Sequence, residues 1–306
     1  VYTALEEYDN AFQDFETALT LNPDSAFAHI SRGITYNAIL EYDNAIIDFD
    51  QAIEINPLSA YAFVSRGNTY ADLTEYERAI EDFDQAIEIS PEYDYALLSR
   101  GLAYAAIEEY EKAIEDYTAS LEVNPFSAYA FVSRGFAHSQ LEEYEEAIQD
   151  FTSAIEINPQ YDYAFLSRGN TYLAILDYES ALADYTEAIR LNPTYVDAFL
   201  NRGRSYLFLE QPQLALNDFT TAIELSPENS YAHINRGLAY FALNQFEAAL
   251  ADYSTAIELD PTYSLGYINR GQAYAAVGRY EEAVEDYSKA IELSPDALYL
   301  YNNRGR

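Results

Sequence analysis

Apolar and polar positions along this chain follow a helical rhythm that repeats itself. In residues 26–59, AFAHISRGITYNAILEYDNAIIDFDQAIEINPLS, apolar residues recur at helical spacing in two blocks, 26–39 and 42–55. The spacing predicts one helix over each block. The Asn56-Pro57 step ends the second, because a residue before proline is pushed out of the α region. Only about two residues turn the chain between the blocks, so the two helices must lie antiparallel. Gly33 and Ala45 are small enough to let the backbones approach closely. Tyr36, Tyr42 and Phe49 fill the space around that contact, and the unit is a helical hairpin.

The hairpin recurs without insertion. Nine of the ten prolines, from Pro23 and Pro57 to Pro295, fall at intervals of 34 residues, as do nine of the eleven glycines, from Gly33 to Gly305. An alanine series from Ala11 to Ala283 keeps the same step. A periodic array escapes the usual limit on domain size, because each unit has only to bury a face against its neighbours.

This pattern resembles the tetratricopeptide repeat, in which Trp-x₂-Leu-Gly-x₂-Tyr is followed by Ala-x₃-Phe and then Pro. Residues 26–59 match it at Gly33, Tyr36, Ala45, Phe49 and Pro57, and the resemblance covers the whole chain. It implies an all-α, right-handed α-solenoid of antiparallel helix pairs, the superhelix of that family. The expected organisation is a partial repeat over 1–25, eight complete repeats over 26–297 and the start of another over 298–306. Two departures recur. His29, Phe63, Leu97, Phe131, Phe165, Phe199, His233, Tyr267 and Tyr301 stand where the family has Trp. The Leu position is always arginine, inside Ser-Arg-Gly or Asn-Arg-Gly.

Each arginine of this series up to Arg270 has an acid sixteen residues later: Arg32 with Asp48, Arg66 with Asp82, Arg100 with Asp116, Arg134 with Asp150, Arg168 with Asp184, and so on to Asp286. Across a hairpin turn that spacing brings two side chains to one level. The series therefore predicts a structural ladder of Arg–Asp pairs, within a repeat or between neighbours, bidentate where geometry allows. The competing reading is a row of anion-binding arginines.

The 31 tyrosines sort by position. Most fill the hairpin core, but Tyr61, Tyr95, Tyr129, Tyr163, Tyr231 and Tyr299 lie near the start of first helices. The family resemblance places that position in the concave groove. It implies an aromatic stripe there, with Val64, Leu98, Val132 and Leu166, then Asn68, Leu102, Phe136 and Asn170, as neighbours. Such a lining suits a peptide, a partner helix or a sugar chain; the bland alternative is packing of tyrosines on one another. The family's carboxylate clamp is absent, since Ile30, Val64, Leu98 and Val132 occupy its lysine position.

Charge narrows the partners. With 52 acidic and 16 basic residues the net charge is −36, which disfavours nucleic acid and anionic membrane surfaces. No apolar run is long enough to span a membrane. There is no cysteine, no phosphate loop and no nucleophile elbow, and His29, His138 and His233 are scattered among distant repeats. The expectation is a protein without catalytic, cofactor-binding or metal-binding residues. Rows of carboxylates keep Ca²⁺ as a weaker expectation, without an EF-hand loop behind it.

The ends complete each other. Joining Asn303-Arg304-Gly305-Arg306 to Val1-Tyr2-Thr3 restores a repeat in register, and the chain has no methionine. These features give the expectation of a stretch of a longer periodic scaffold, continued end to end into a fibre by copies of itself. The alternatives are an adaptor holding a protein or peptide in the tyrosine-lined groove, and the recruiting arm of an enzyme whose catalytic part lies elsewhere. A fibre would belong outside the cell and an adaptor in the cytoplasm.

Overall fold

A computed structural model describes residues 7–305, and the described chain is helical throughout, without strands. The chain divides into two units, Val1–Pro159 and Gln160–Arg306. The junction expected between Arg306 and Val1 lies outside the described residues, as does the side chain of Tyr299.

In the first unit, α1 (Tyr8–Leu21) packs on α2 (Ala26–Ala38). The hairpins that follow pair α2 with α3 (Tyr42–Ile55), α4 (Ala60–Asp72) with α5 (Tyr76–Ile89), α6 (Asp94–Ala106) with α7 (Tyr110–Val123), and α8 (Ala128–Gln140) with α9 (Tyr144–Ile157). The second unit repeats the scheme with α10 (Asp162–Ala174) and α11 (Tyr178–Leu191), α12 (Val196–Phe208) and α13 (Pro212–Leu225), α14 (Ser230–Ala242) and α15 (Phe246–Leu259), and α16 (Ser264–Ala276) and α17 (Tyr280–Leu293). It closes with α18 (Leu298–Gly305), packed on α17. Within each unit successive first helices touch one another, α2 to α4 to α6 to α8 and α10 to α12 to α14 to α16. First helices thus form the inner layer of each stack and second helices the outer one. This is the all-α solenoid of antiparallel pairs that the resemblance implies.

Local chemistry sets the helix limits. Ser25, Ser59 and Ser127 cap first helices by accepting from the amides of Ala28, Ala62 and Ala130. The second helices stop at Asn56, Ser90, Asn124 and Asn158, each directly before a proline. Pro212 begins α13, where its missing N–H costs nothing.

The core of each hairpin is one aromatic ring laid against one glycine. Phe49, Phe83, Tyr117 and Phe151 are essentially inaccessible to solvent. A Cβ built on Gly67 would lie 2.7 Å from the Phe83 ring, so only glycine admits the ring at that depth. Ala45, Ala79, Ala113 and Ala147 are fully buried at the same level. Burial pushes the Tyr117, Tyr185 and Tyr253 hydroxyls well above the ordinary tyrosine range.

The turn inside the hairpin is longer than the sequence reading allowed. Three residues, such as 39–41, separate the helices, and the middle one adopts the left-handed region: Leu40 has φ 64°, Thr74 61° and Leu176 63°. That conformation lets Glu41 N donate back to Tyr36 O at 2.9 Å and close the first helix. Among the described residues only Gly278, with φ 79°, occupies this position without a side-chain penalty. A left-handed residue bearing Cβ costs about 1–2 kcal/mol, against about 0.5–1 kcal/mol for the extra freedom of unfolded glycine. Thr74→Gly is therefore expected to raise the thermal midpoint of the chain and Gly278→Thr to lower it, both read by helical circular dichroism.

Candidate functional site

The arginines come first, because their state decides the charge of the inner layer. Arg32, Arg66, Arg100 and Arg134 each donate through Nε and Nη2 to both oxygens of Asp48, Asp82, Asp116 and Asp150, at 2.6–2.8 Å. Arg168 and Asp184 form the same bidentate pair at 2.8 and 2.7 Å. The carboxylates are buried while each arginine keeps roughly a fifth of its side chain exposed. The hydrogen-bonded carboxylate holds the Arg66 and Arg100 guanidinium groups more firmly charged than usual. Burial pushes the Asp82 and Asp116 carboxyls upward, and the guanidinium pulls back against it.

The third nitrogen reaches backward along the chain. Arg66 Nη1 donates to Asp50 and Arg100 Nη1 to Asp84, both at 2.5 Å, and Arg134 Nη1 donates to Thr118 at 3.0 Å. Each of these arginines therefore joins its own two helices and also ties them to the preceding hairpin. Different atoms of one side chain thus bond within the repeat and to the neighbouring one. The guanidinium also lies 5.7 Å from the Phe63 ring centroid and 5.6 Å from that of Phe131, for Arg66 and Arg134 respectively. The two departures from the family pattern are thus one adaptation: arginine in place of leucine packs beside the residue in place of tryptophan. Where histidine stands there it uses the same acid, His29 Nδ1 lying 3.0 Å from Asp48 and His233 Nδ1 3.4 Å from Asp252. His138 instead meets Glu143 at 2.7 Å.

With these arginines engaged, the inner face of the first unit is chiefly aromatic and apolar. Tyr61, Tyr95 and Tyr129 stand one repeat apart and are each about half exposed (48%, 48% and 49%). Asn68 Nδ2 donates to the Tyr95 hydroxyl at 3.2 Å and so fixes that ring. Val64 and Val132 are buried beneath the row as its floor, while Phe136 is exposed and Leu98 and Leu102 half-buried. Two hollows open along the row. One of about 220 Å³ lies between Tyr61, Val64, Asn68 and Tyr95, and one of about 540 Å³ between Tyr95, Leu98, Leu102 and Tyr129.

In the second unit the expected stripe does not continue in the same form. Tyr163 is exposed, but Tyr231 is half-buried with its ring against the cluster of Phe199, Leu200 and Phe219. Asp197 occupies the intervening position. Asn170 is tied within the protein, its Oδ1 accepting from Tyr185 OH and from Asn201 Nδ2, each at 2.9 Å. A tyrosine at the right register is therefore open only where its neighbours leave its face uncovered.

The larger hollow also contains two residues that the sequence reading passed over, Asn37 and Asp72. Asn37 Nδ2 donates to Asp72 Oδ2 at 3.0 Å, across two repeats. The signal available in the sequence was a break in the period: positions equivalent to Asp72 carry alanine, glutamine or phenylalanine elsewhere.

The carboxylate rows do not converge. Among the described residues no group of three or more His, Cys, Asp or Glu side chains is placed to hold a metal ion, which leaves the Ca²⁺ expectation without a site. Among them, too, no helix is long and apolar enough to cross a membrane.

Comparison with known proteins follows the same lines. Family profiles described as tetratricopeptide repeat match residues 1–25, 95–127, 128–161, 163–195, 196–229 and 264–297, and one described as TPR repeat matches 67–108 and 237–278. No curated protein matches the chain. Among solved structures, YrrB, described as a TPR protein with an unusual peptide-binding site, is 26% identical with a TM-score of 0.54, covering 63% of this chain and 100% of its own. A tetratricopeptide repeat protein from Parabacteroides merdae is 20% identical with a TM-score of 0.62, over 81% of this chain and 98% of its own. The C-terminal part of a TPR protein from Cytophaga hutchinsonii is 18% identical with a TM-score of 0.64, over 78% and 97%. The latter two likenesses concern the fold alone. Period, glycine-against-ring hairpins and profile matches along its length agree: the chain belongs to the tetratricopeptide repeat family.

Proposed function

We propose that this array is a non-catalytic scaffold that holds an extended peptide, or one helix of a partner protein, along the inner face of its first unit. Residues 26–297 act in this reading as eight complete repeats, with 1–25 and 298–306 belonging to two more. The observation that carries the proposal is the row of Tyr61, Tyr95 and Tyr129. A chain that buries its other core rings at the hairpin level leaves these three half exposed, one per repeat, above hollows of about 220 and 540 Å³. Tyrosine offers a large, rigid face with a polar tip, and aromatic anchors of this kind dominate interface energies. The fold likeness to YrrB, a TPR protein with a peptide-binding site, agrees with this reading.

Panning a displayed library of random 12-residue peptides against the full chain tests it. Enrichment is expected on the native protein, and a Tyr95→Ala/Tyr129→Ala variant of unchanged helicity is expected to bind the enriched peptides about 30-fold more weakly. Equal binding to both proteins would defeat the groove reading.

A further inference from the structure

In a chain this regular, a position that breaks the period was not needed by the fold. Asn37 and Asp72 are two such positions, where other repeats carry residues such as Ala105, Leu173 and Phe241, or Ala106, Ala174 and Phe208. Although 35 residues apart, they meet at the C-terminal ends of α2 and α4, in the wall of the larger hollow. Asn37 spends its amide on Asp72, and Asn37 Oδ1 is buried with no hydrogen-bond partner among the described residues. Asp72 is exposed toward solvent.

The charge of this hollow is therefore one-sided. Its one charged group is the Asp72 carboxylate; Asn37, Asn68, Ser99 and the tyrosines are neutral, and no lysine, arginine or histidine lines it. The helix ends add the negative pole of two backbone dipoles. Elsewhere the chain sets its own cations over its tyrosines, as with Arg78 at 3.9 Å from the Tyr70 ring centroid and Arg279 at 4.4 Å from that of Tyr274. No such cation lies over Tyr95 or Tyr129 among the ring contacts of the described residues. Leu98 and Leu102 line the same hollow and give it apolar surface.

We propose that this hollow is a specificity pocket for a lysine or arginine side chain of the bound peptide, with the aliphatic stem on Leu98 and Leu102 and the cationic head at Asp72 and Asn37. The proposal rests on the groove reading above and adds the chemical class of its ligand. A cation gives the Asp72 carboxylate, which now accepts only from the neutral Asn37 amide, a charged partner beside the unpaired Asn37 Oδ1, and the open faces of Tyr95 and Tyr129 favour positive charge. A glutamate or a C-terminal carboxylate would find only the neutral donors of Asn68, Ser99 and the tyrosine hydroxyls there, with no cation to pair with, and is disfavoured by repulsion from Asp72.

The same random 12-residue library separates this from general attraction to an acidic protein. Peptides enriched on the native chain are expected to share one fixed lysine or arginine beside apolar residues. Selection on Asp72→Asn, an exposed and nearly isosteric change, is expected to lose that fixed position while retaining Tyr129-dependent binders. In a synthetic copy of an enriched arginine peptide, arginine→citrulline is expected to weaken binding about tenfold on the native chain and little on Asp72→Asn. An analogous lysine peptide is tested with acetyl-lysine. Tyrosine-dependent peptides with no fixed basic position would overturn the pocket and leave the groove standing. Basic peptides enriched equally on Asp72→Asn would overturn it too, as charge attraction without a pocket. Absence of any tyrosine-dependent binder would overturn the groove itself.

Discussion

Phe83→Ala is expected to destabilise the first unit by about 3–5 kcal/mol, the cost of removing a fully buried aromatic ring. The ring cannot be replaced by collapse of its surroundings, because the facing residue is Gly67, with no side chain to move into the space. Val64, Ala79 and Ala96 would border the hole and lose packing together. Since stability in a repeat array is a sum of local and nearest-neighbour terms, the loss should be concentrated in α4 to α6. Hydrogen exchange resolved along the sequence checks this. Protection should fall most around residues 60–106 and least in the second unit, whereas a uniform fall would contradict the locality. Phe83→Tyr is the control, because Tyr117 and Tyr185 already occupy the equivalent position.

The second large effect is expected from one side of the ladder. Asp82→Ala strands Arg66 between a truncated partner and Asp50, which is half exposed. Breaking a fully buried pair costs about 3–5 kcal/mol; with a fifth of the Arg66 side chain in solvent, about 2–4 kcal/mol is expected. Removing both charges, as in Arg66→Leu/Asp82→Leu, should restore much of the loss, since the destabilisation comes from the charge left behind. A denaturant-unfolding double-mutant cycle measures the difference. Additive losses would mean that the two side chains do not act as a pair.

How much of this was legible in the sequence depends on the kind of feature. The hairpins could be read because glycine, alanine, aromatic and proline recur at fixed offsets, each for a packing reason. The ladder could be read because Arg32 and Asp48 keep the same separation in every repeat, although the backward bond from Arg66 to Asp50 could not, since Thr118 takes that place for Arg134. The left-handed turn gave little signal: Asn244 and Gly278 suit it, but leucine, threonine and glutamate in the other repeats are poor residues for it, and tertiary packing overrides their preference. The open or covered state of a tyrosine was equally hidden. Tyr129 and Tyr231 hold equivalent positions, and only packing around Phe199 and Phe219 separates them. Asn37 and Asp72 carry no periodic signal, because neither residue recurs at its position in the other repeats.

The backward reach of the arginines also bears on how the chain assembles as it emerges from synthesis. Asp50, Asp84 and Thr118 all precede the arginines they receive, so the docking surface for a new hairpin is finished before that hairpin exists. The forward partner of each arginine follows only sixteen residues later. Every step of growth closes a short loop against completed structure, the condition under which folding is fast and exposed apolar surface short-lived. Such a chain can lengthen by whole hairpins, each new one settling on the last, with the same side chain serving as clasp and as hook.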